Sequence, residues 1–244
     1  MITLELQKLR RLKLSILVGG MLLALCLFNL MPLFSSKSTT TIDLAGELMG
    51  IETAQALFVP ILIAIITTRL VEIEHSGNGW QVFSLAGAAP GTLCRVKFAV
   101  LALIITVFTA LEILIPLGVC AVVGADNMNV AAWVSYGGCV LIMNLLCCMF
   151  HIVVAQRFEN QLVSIGVGAL GAFIAMFCYL LPPVVVRFIP WGYYAIVSTV
   201  TTSPEAHGAI YINPGWNYVW FVGFAVLVTA WFYRHTITLN AGEK

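Results

Sequence analysis

The chain has 244 residues, of which 61% are hydrophobic and 9% charged, with a formal net charge of +1 and a mean hydropathy of +1.00. Soluble domains carry charge on about a quarter of their residues, so a water-soluble globule is excluded, and near-neutrality removes the basic footprint of a nucleic-acid binder. Seven cysteines (26, 94, 120, 139, 147, 148 and 178) are an odd number and fall mostly inside apolar runs, where cysteine acts as a small apolar residue; neither a disulfide framework nor a metal site is expected.

Residues 1–13, MITLELQKLRRLK, set Ile2, Leu4 and Leu9 among Lys8, Arg10, Arg11 and Lys13. Two readings fit: a helix lying along the membrane surface, or a plain positive anchor. Runs of about 20 apolar residues, enough to cross roughly 30 Å of hydrocarbon, then follow at 14–34, 54–71, 98–119, 130–154, 162–181 and 216–233. The first is too long for a signal peptide and has no small-residue cleavage site. Residues 35–41, SSKSTTT, form a polar loop, and IDLAGELMGIE after it can begin a helix continuous with the second span.

Between spans two and three, RLVEIEHSGNGWQVFSLAGAAPGTLCRVK predicts an acidic helix end, a Gly-Asn-Gly break, a short amphipathic helix over 80–86 and a turn at Pro90 and Gly91. Between spans five and six, the apolar stretch LLPPVVVRFIPWGYYAIVSTV is broken by Pro182, Pro183, Pro190 and Gly192, so its pieces are too short to cross. A helical hairpin dipping partway into the outer leaflet is expected, with Trp191, Tyr193 and Tyr194 at the interface. With the N-terminus inside, ten of the twelve Lys and Arg residues fall on inner segments, and only Lys37 and Arg187 fall outside. The positive-inside bias therefore predicts six spans with both ends inside, an all-α membrane domain over residues 1–244.

Few residues carry recognisable chemistry. There is no GxxxxGK[ST] phosphate loop and no Cys/His spacing for zinc, so no cofactor is expected in this chain. His151 and Ser164 lie at the same end of neighbouring spans, but nothing near Ser164 resembles a nucleophile elbow; helix packing is the alternative to catalysis. Glu112 is the carboxylate deepest in a span, and an ionisable group there is a functional candidate by default. Pro116, four residues on, removes the donor for the Glu112 carbonyl, so a bend and an outward-opening cavity are expected. The alternative is a neutral carboxyl hydrogen-bonded to a neighbouring helix. Asn144, Cys148 and His151 share one helix face, to be met by protein for packing or by substrate. Ser164, Gly168 and Ala172 form a small-residue face that predicts close helix contact.

Taken together, the basic N-terminus, the six spans, the loop EIEHSGNGWQVFSLAGAAPGTLCRVK and the proline-broken hairpin resemble the permease subunits of type-2 ABC exporters, most closely those of lantibiotic immunity transporters. Glu74, Gly79, Trp80, Leu85, Pro90, Arg95 and Lys97 match the loop pattern of that superfamily. The resemblance implies that the loop is a coupling helix seated on a partner ATPase, with Glu72, Glu74, His75 and Trp80 as contacts. It also implies two ATPase subunits that bind ATP and magnesium, a second permease copy or a homologue, membrane lipid around the domain, and a peptide or other amphipathic cargo expelled across a bacterial cytoplasmic membrane. The permease itself would not be an enzyme. External Asp43, Glu47, Glu52, Asp126 and Glu205 would favour a cationic cargo. Glu112, Asn144 and His151 are the pathway candidates. The rival reading is an ion-coupled carrier with Glu112 as its ion site.

Overall fold

The computed structural model describes residues 5, 7, 8, 12–35, 44–77, 79–87, 89–123, 129–203 and 208–241. The loop at 36–41, most of the basic N-terminal stretch, Asp43, Asp126 and Glu205 lie outside the described residues. Long helices dominate: α1 (Leu14–Ser35), α2 (Leu44–Ser76), the short α3 (Gly79–Leu85), α4 (Pro90–Val123), α5 (Val130–Arg157), α6 (Gln161–Cys178) and α7 (Asn217–Ala241). Five of them, α1, α2, α4, α5 and α6, are long and apolar enough to cross a bilayer. The last helix is long enough at 25 residues but is not among those five, its apolar core being diluted by tryptophan, tyrosine and Arg234.

Local chemistry sets the helix boundaries. Asn129 and Asn160 cap α5 and α6, their side-chain oxygens accepting from the amides of Ala132 at 3.1 Å and Leu162 at 3.0 Å; each satisfies an amide that the first helical turn leaves orphaned. Pro90 occupies the first position of α4, where its missing N–H costs nothing.

The centre of the bundle is α2, which buries twenty residues along its 33 and packs on α5 and α6. Hydrocarbon offers helices no hydrophobic reason to associate, so close approach has to come from small residues. Gly168 of α6 lies against Ala64 and the Pro60 carbonyl of α2, and Gly171 lies against the Trp191 ring; a Cβ at either would collide. The expected small-residue face is thus the α2–α6 seam.

Residues 182–216, the crossover segment, differ from the helical hairpin expected. Two single helical turns, Pro183–Val186 and Tyr193–Ile196, flank a 3-10 turn at Pro190–Gly192. An antiparallel hairpin of β1 (Val200–Ser203) and β2 (Gly208–Tyr211) follows, with Val200 opposite Tyr211 and Ser203 opposite Gly208. The β-branched run Val-Ser-Thr-Val-Thr-Thr favours strand over helix, which is why the second half is extended. Trp133 of α5 donates its Nε1–H to the Tyr211 hydroxyl at 3.2 Å and ties β2 to the bundle.

Candidate functional site

Two polar assemblies interrupt the apolar packing, one at each end of α2. The first gathers where α2 stops and α4 starts. Lys97 of α4 is fully buried, and its ammonium donates to Glu5 at 2.9 Å, Glu74 at 2.9 Å and the Leu70 carbonyl at 3.0 Å. Those three bonds use all the donors an ammonium has. Lys8 closes the cluster, 2.7 Å from Glu5 and 2.6 Å from Glu74, and lies over the Phe83 ring of α3 at 5.0 Å. Burial works against the charge of Lys8, yet its hydrogen bonds to Glu5 and Glu74 and the nearness of both carboxylates hold its pKa above the ordinary lysine value. Two cations and two anions thus join the N-terminal segment, α2, α3 and α4.

This geometry places the four residues expected to contact an ATPase differently from one another. Glu74 faces inward, 1% exposed, and its carboxylate is spent on the two lysines. Gly79 abuts that carboxylate, so a Cβ there would drive α3 off α2. His75 places Nε2 3.0 Å from the Ala155 carbonyl of α5. Glu72 is half-exposed. Trp80 lies in α3, and its side chain is outside the described ones. Among the described side chains of α3, Gln81, Val82 and Leu85 are exposed, Val82 at 60% and Leu85 at 90%.

The second assembly lies within the bundle. Tyr194 donates to the Asn144 oxygen at 2.7 Å; Asn144 donates to Gln55 at 3.2 Å and Thr109 at 3.0 Å; Gln55 donates to Glu112 at 2.7 Å. Every member of this chain of bonds is buried, and the other oxygen of Glu112 has no partner among the described residues. The residues come from α2, α4, α5 and the crossover segment, so the network seats that segment on the bundle. Glu112 and Asn144 therefore meet, but within packed protein; the outward-opening cavity expected beside Glu112 is replaced by this enclosed network.

One turn earlier on α2, Glu52 accepts from the Ser198 hydroxyl and from the backbone amide and hydroxyl of Thr199, the latter two at 2.9 and 3.2 Å. The Tyr179 hydroxyl reaches the carbonyls of Glu52 and Tyr194, each at 3.3 Å. Glu47 and Glu52 are 6% and 0% exposed, so neither adds to an external acidic surface; Glu52 is held inside by its bonds to the crossover segment. His151 places Nδ1 3.3 Å from the Ser164 hydroxyl, but both are fully buried and Nε2 has no partner. Among the described residues nothing orients the imidazole as a general base, which favours the packing alternative.

Bilayer-length helices wound around buried polar contacts, with a short surface helix slung between two of them, define a multi-pass membrane protein of the transport class. The chain belongs to the ABC-2 family transporter proteins, whose family pattern it matches over residues 1–178. Neither the curated proteins nor the solved structures hold a match to it. Membership makes it the membrane subunit of an ABC exporter, working with an ABC ATPase. The match ends at residue 178, so Tyr179, Tyr194, Ser198 and Thr199 lie beyond it.

Proposed function

We propose that this chain is the six-span permease of an ATP-driven exporter in a bacterial cytoplasmic membrane, with α7 as the sixth span and both ends of the chain in the cytoplasm. A pair of permeases, identical or homologous, stands on two ATPase subunits that bind ATP and magnesium. The observation that carries the reading is the suspension of α3. It hangs between the two longest helices at the end rich in lysine and arginine, offering Val82 and Leu85 outward while Glu74, Lys97, Lys8 and Glu5 fix it from within. ATPase closure pushes on α3, and the buried cluster passes the push to α2 and α4 together.

The cargo is a cationic amphipathic peptide of the lantibiotic type, expelled from the producer's own membrane for self-immunity. Support for the cargo comes from the sequence resemblance alone. Glu112 in an enclosed network favours a structural part in this cycle over an ion pathway: Glu112→Gln should alter the transport rate, whereas an ion-coupled carrier would lose transport.

The test is affinity purification of the tagged full chain from its native membrane. Recovery of a Walker-motif ATPase with the native chain, and its loss with Val82→Asp plus Leu85→Asp, is the expected result. A chain that purifies alone yet transports would overturn the reading.

A further inference from the structure

The face of α7 that meets the crossover segment carries a cavity and a cation that the exporter reading does not use. Phe150 of α5, Trp191 of the crossover segment, and Phe224, Leu227, Val228 and Trp231 of α7 line an apolar cavity of about 440 Å³. This size falls in the range of small-molecule sites. Met143, Leu146 and Cys147 form a buried floor, while Leu227 is 71% and Trp231 44% exposed, so the cavity opens sideways, toward lipid. Phe150 meets Trp191 edge-on at 5.5 Å and Trp231 at 6.4 Å, closing its inner end with aromatic rings.

Asn217, Trp220, Phe224, Leu227 and Trp231 recur at helical spacing on one side of α7, so Trp220 and Asn217 lie one and two turns above the cavity, toward the β-hairpin. Arg187 is held there. Its guanidinium lies 5.4 Å from the Trp220 ring and donates to Asn217 at 3.0 Å. Its backbone carbonyl accepts from Tyr193 at 2.9 Å, and the Tyr193 ring stacks on Phe224 at 4.2 Å. No carboxylate pairs with Arg187 among the described residues, Nε has no acceptor, and a guanidinium has five N–H donors. Phe188 and Trp216 flank it at 77% and 78% exposure, as side chains at a membrane interface do. Asn217 to Trp231 spans fourteen residues, roughly 21 Å of helix, somewhat more than half the hydrocarbon thickness.

We propose that this groove binds one anionic phospholipid, its phosphate at Arg187 and one acyl chain in the cavity between α5 and α7. A cation with no carboxylate partner among the described residues, above an apolar cavity that ends roughly 21 Å along the helix from Asn217, matches an anionic amphiphile at both ends. A neutral lipid leaves Arg187 uncompensated, and a free anion leaves the cavity empty.

Native mass spectrometry of the detergent-purified full chain tests the site with phosphatidylglycerol, diacylglycerol and glycerol phosphate as probes. One retained phosphatidylglycerol is expected, with little of the other two. Arg187→Gln should lower its retention roughly tenfold, the worth of one charge-assisted hydrogen bond, and Leu227→Trp, which fills the slot, should lower it as much. Leu111→Trp, on the lipid-facing side of α4, should leave retention unchanged, and an unaltered elution profile shows that each variant is folded. Equal retention by all four proteins would reduce the lipid to nonspecific annular binding and overturn the site. So would diacylglycerol binding as well as phosphatidylglycerol. Loss of a dimer with Leu227→Trp while lipid retention stays at the native level would assign the cavity to a second copy of the chain instead, and would equally overturn it.

Discussion

Replacing Lys97 by methionine leaves Glu5 and Glu74 buried with Lys8 as their one cation among the described residues. A buried charge that loses its partner costs about 3–5 kcal/mol, so Lys97→Met should lower the thermal midpoint in detergent sharply. Adding Glu74→Leu removes one of the stranded carboxylates and should restore part of the loss, a non-additivity that a double-mutant cycle reads directly. None of this was legible in the residues one at a time. Lys97 reads as one more positive-inside residue and Glu74 as a solvated contact; their pairing depends on Glu5 and Lys8, about ninety residues away in the chain, and local pattern carries no information about such partners. Glu52 was misread for the same reason. Its partners, Ser198 and Thr199, are almost 150 residues downstream and come into place only after the crossover segment has packed.

Elements were more readable, because hydropathy and breakers act locally. The apolar runs, the continuation of α2 back toward Leu44 and the short α3 follow from composition over a few turns, whereas the turn expected at Pro90 and Gly91 is instead the start of α4. The β-hairpin was the exception. The β-branched run Val-Ser-Thr-Val-Thr-Thr leading into β1 is a strand signal, but one set in an apolar context that invites a helical reading. The crossover segment depends on Tyr194 for its seat, so Tyr194→Phe should cost about 1–3 kcal/mol by leaving the Asn144 oxygen buried without a donor. Local loosening should appear as faster maleimide labelling of a cysteine placed at Tyr193 or Ile196, with little change in overall helicity. For α3, a single Leu85→Asp should weaken ATPase capture and leave the stability within about 0.5 kcal/mol of native, since exposed substitutions rarely cost more.

For the whole molecule, the antiparallel helices put Ser76, Pro90 and Arg157 at one end and the β-hairpin at the other. A cysteine at Thr202 should react with a membrane-impermeant maleimide added to intact cells, and one at Ser76 only after permeabilisation; the reverse pattern would invert the topology. The proposed arrangement rests on ten cations lying at one end, a property of the whole chain that no single span reveals.

The buried cluster bears finally on voltage. A unit charge moved across a membrane potential exchanges about 2.3 kcal/mol per 100 mV with the field. Lys8 and Lys97 against Glu5 and Glu74 sum to zero, and because they are bonded into one body they travel together. The field therefore does no net work on these four groups as they move together. Lys8→Gln would leave the body one negative charge, and transport in proteoliposomes under an imposed potassium diffusion potential should then depend on the sign of that potential.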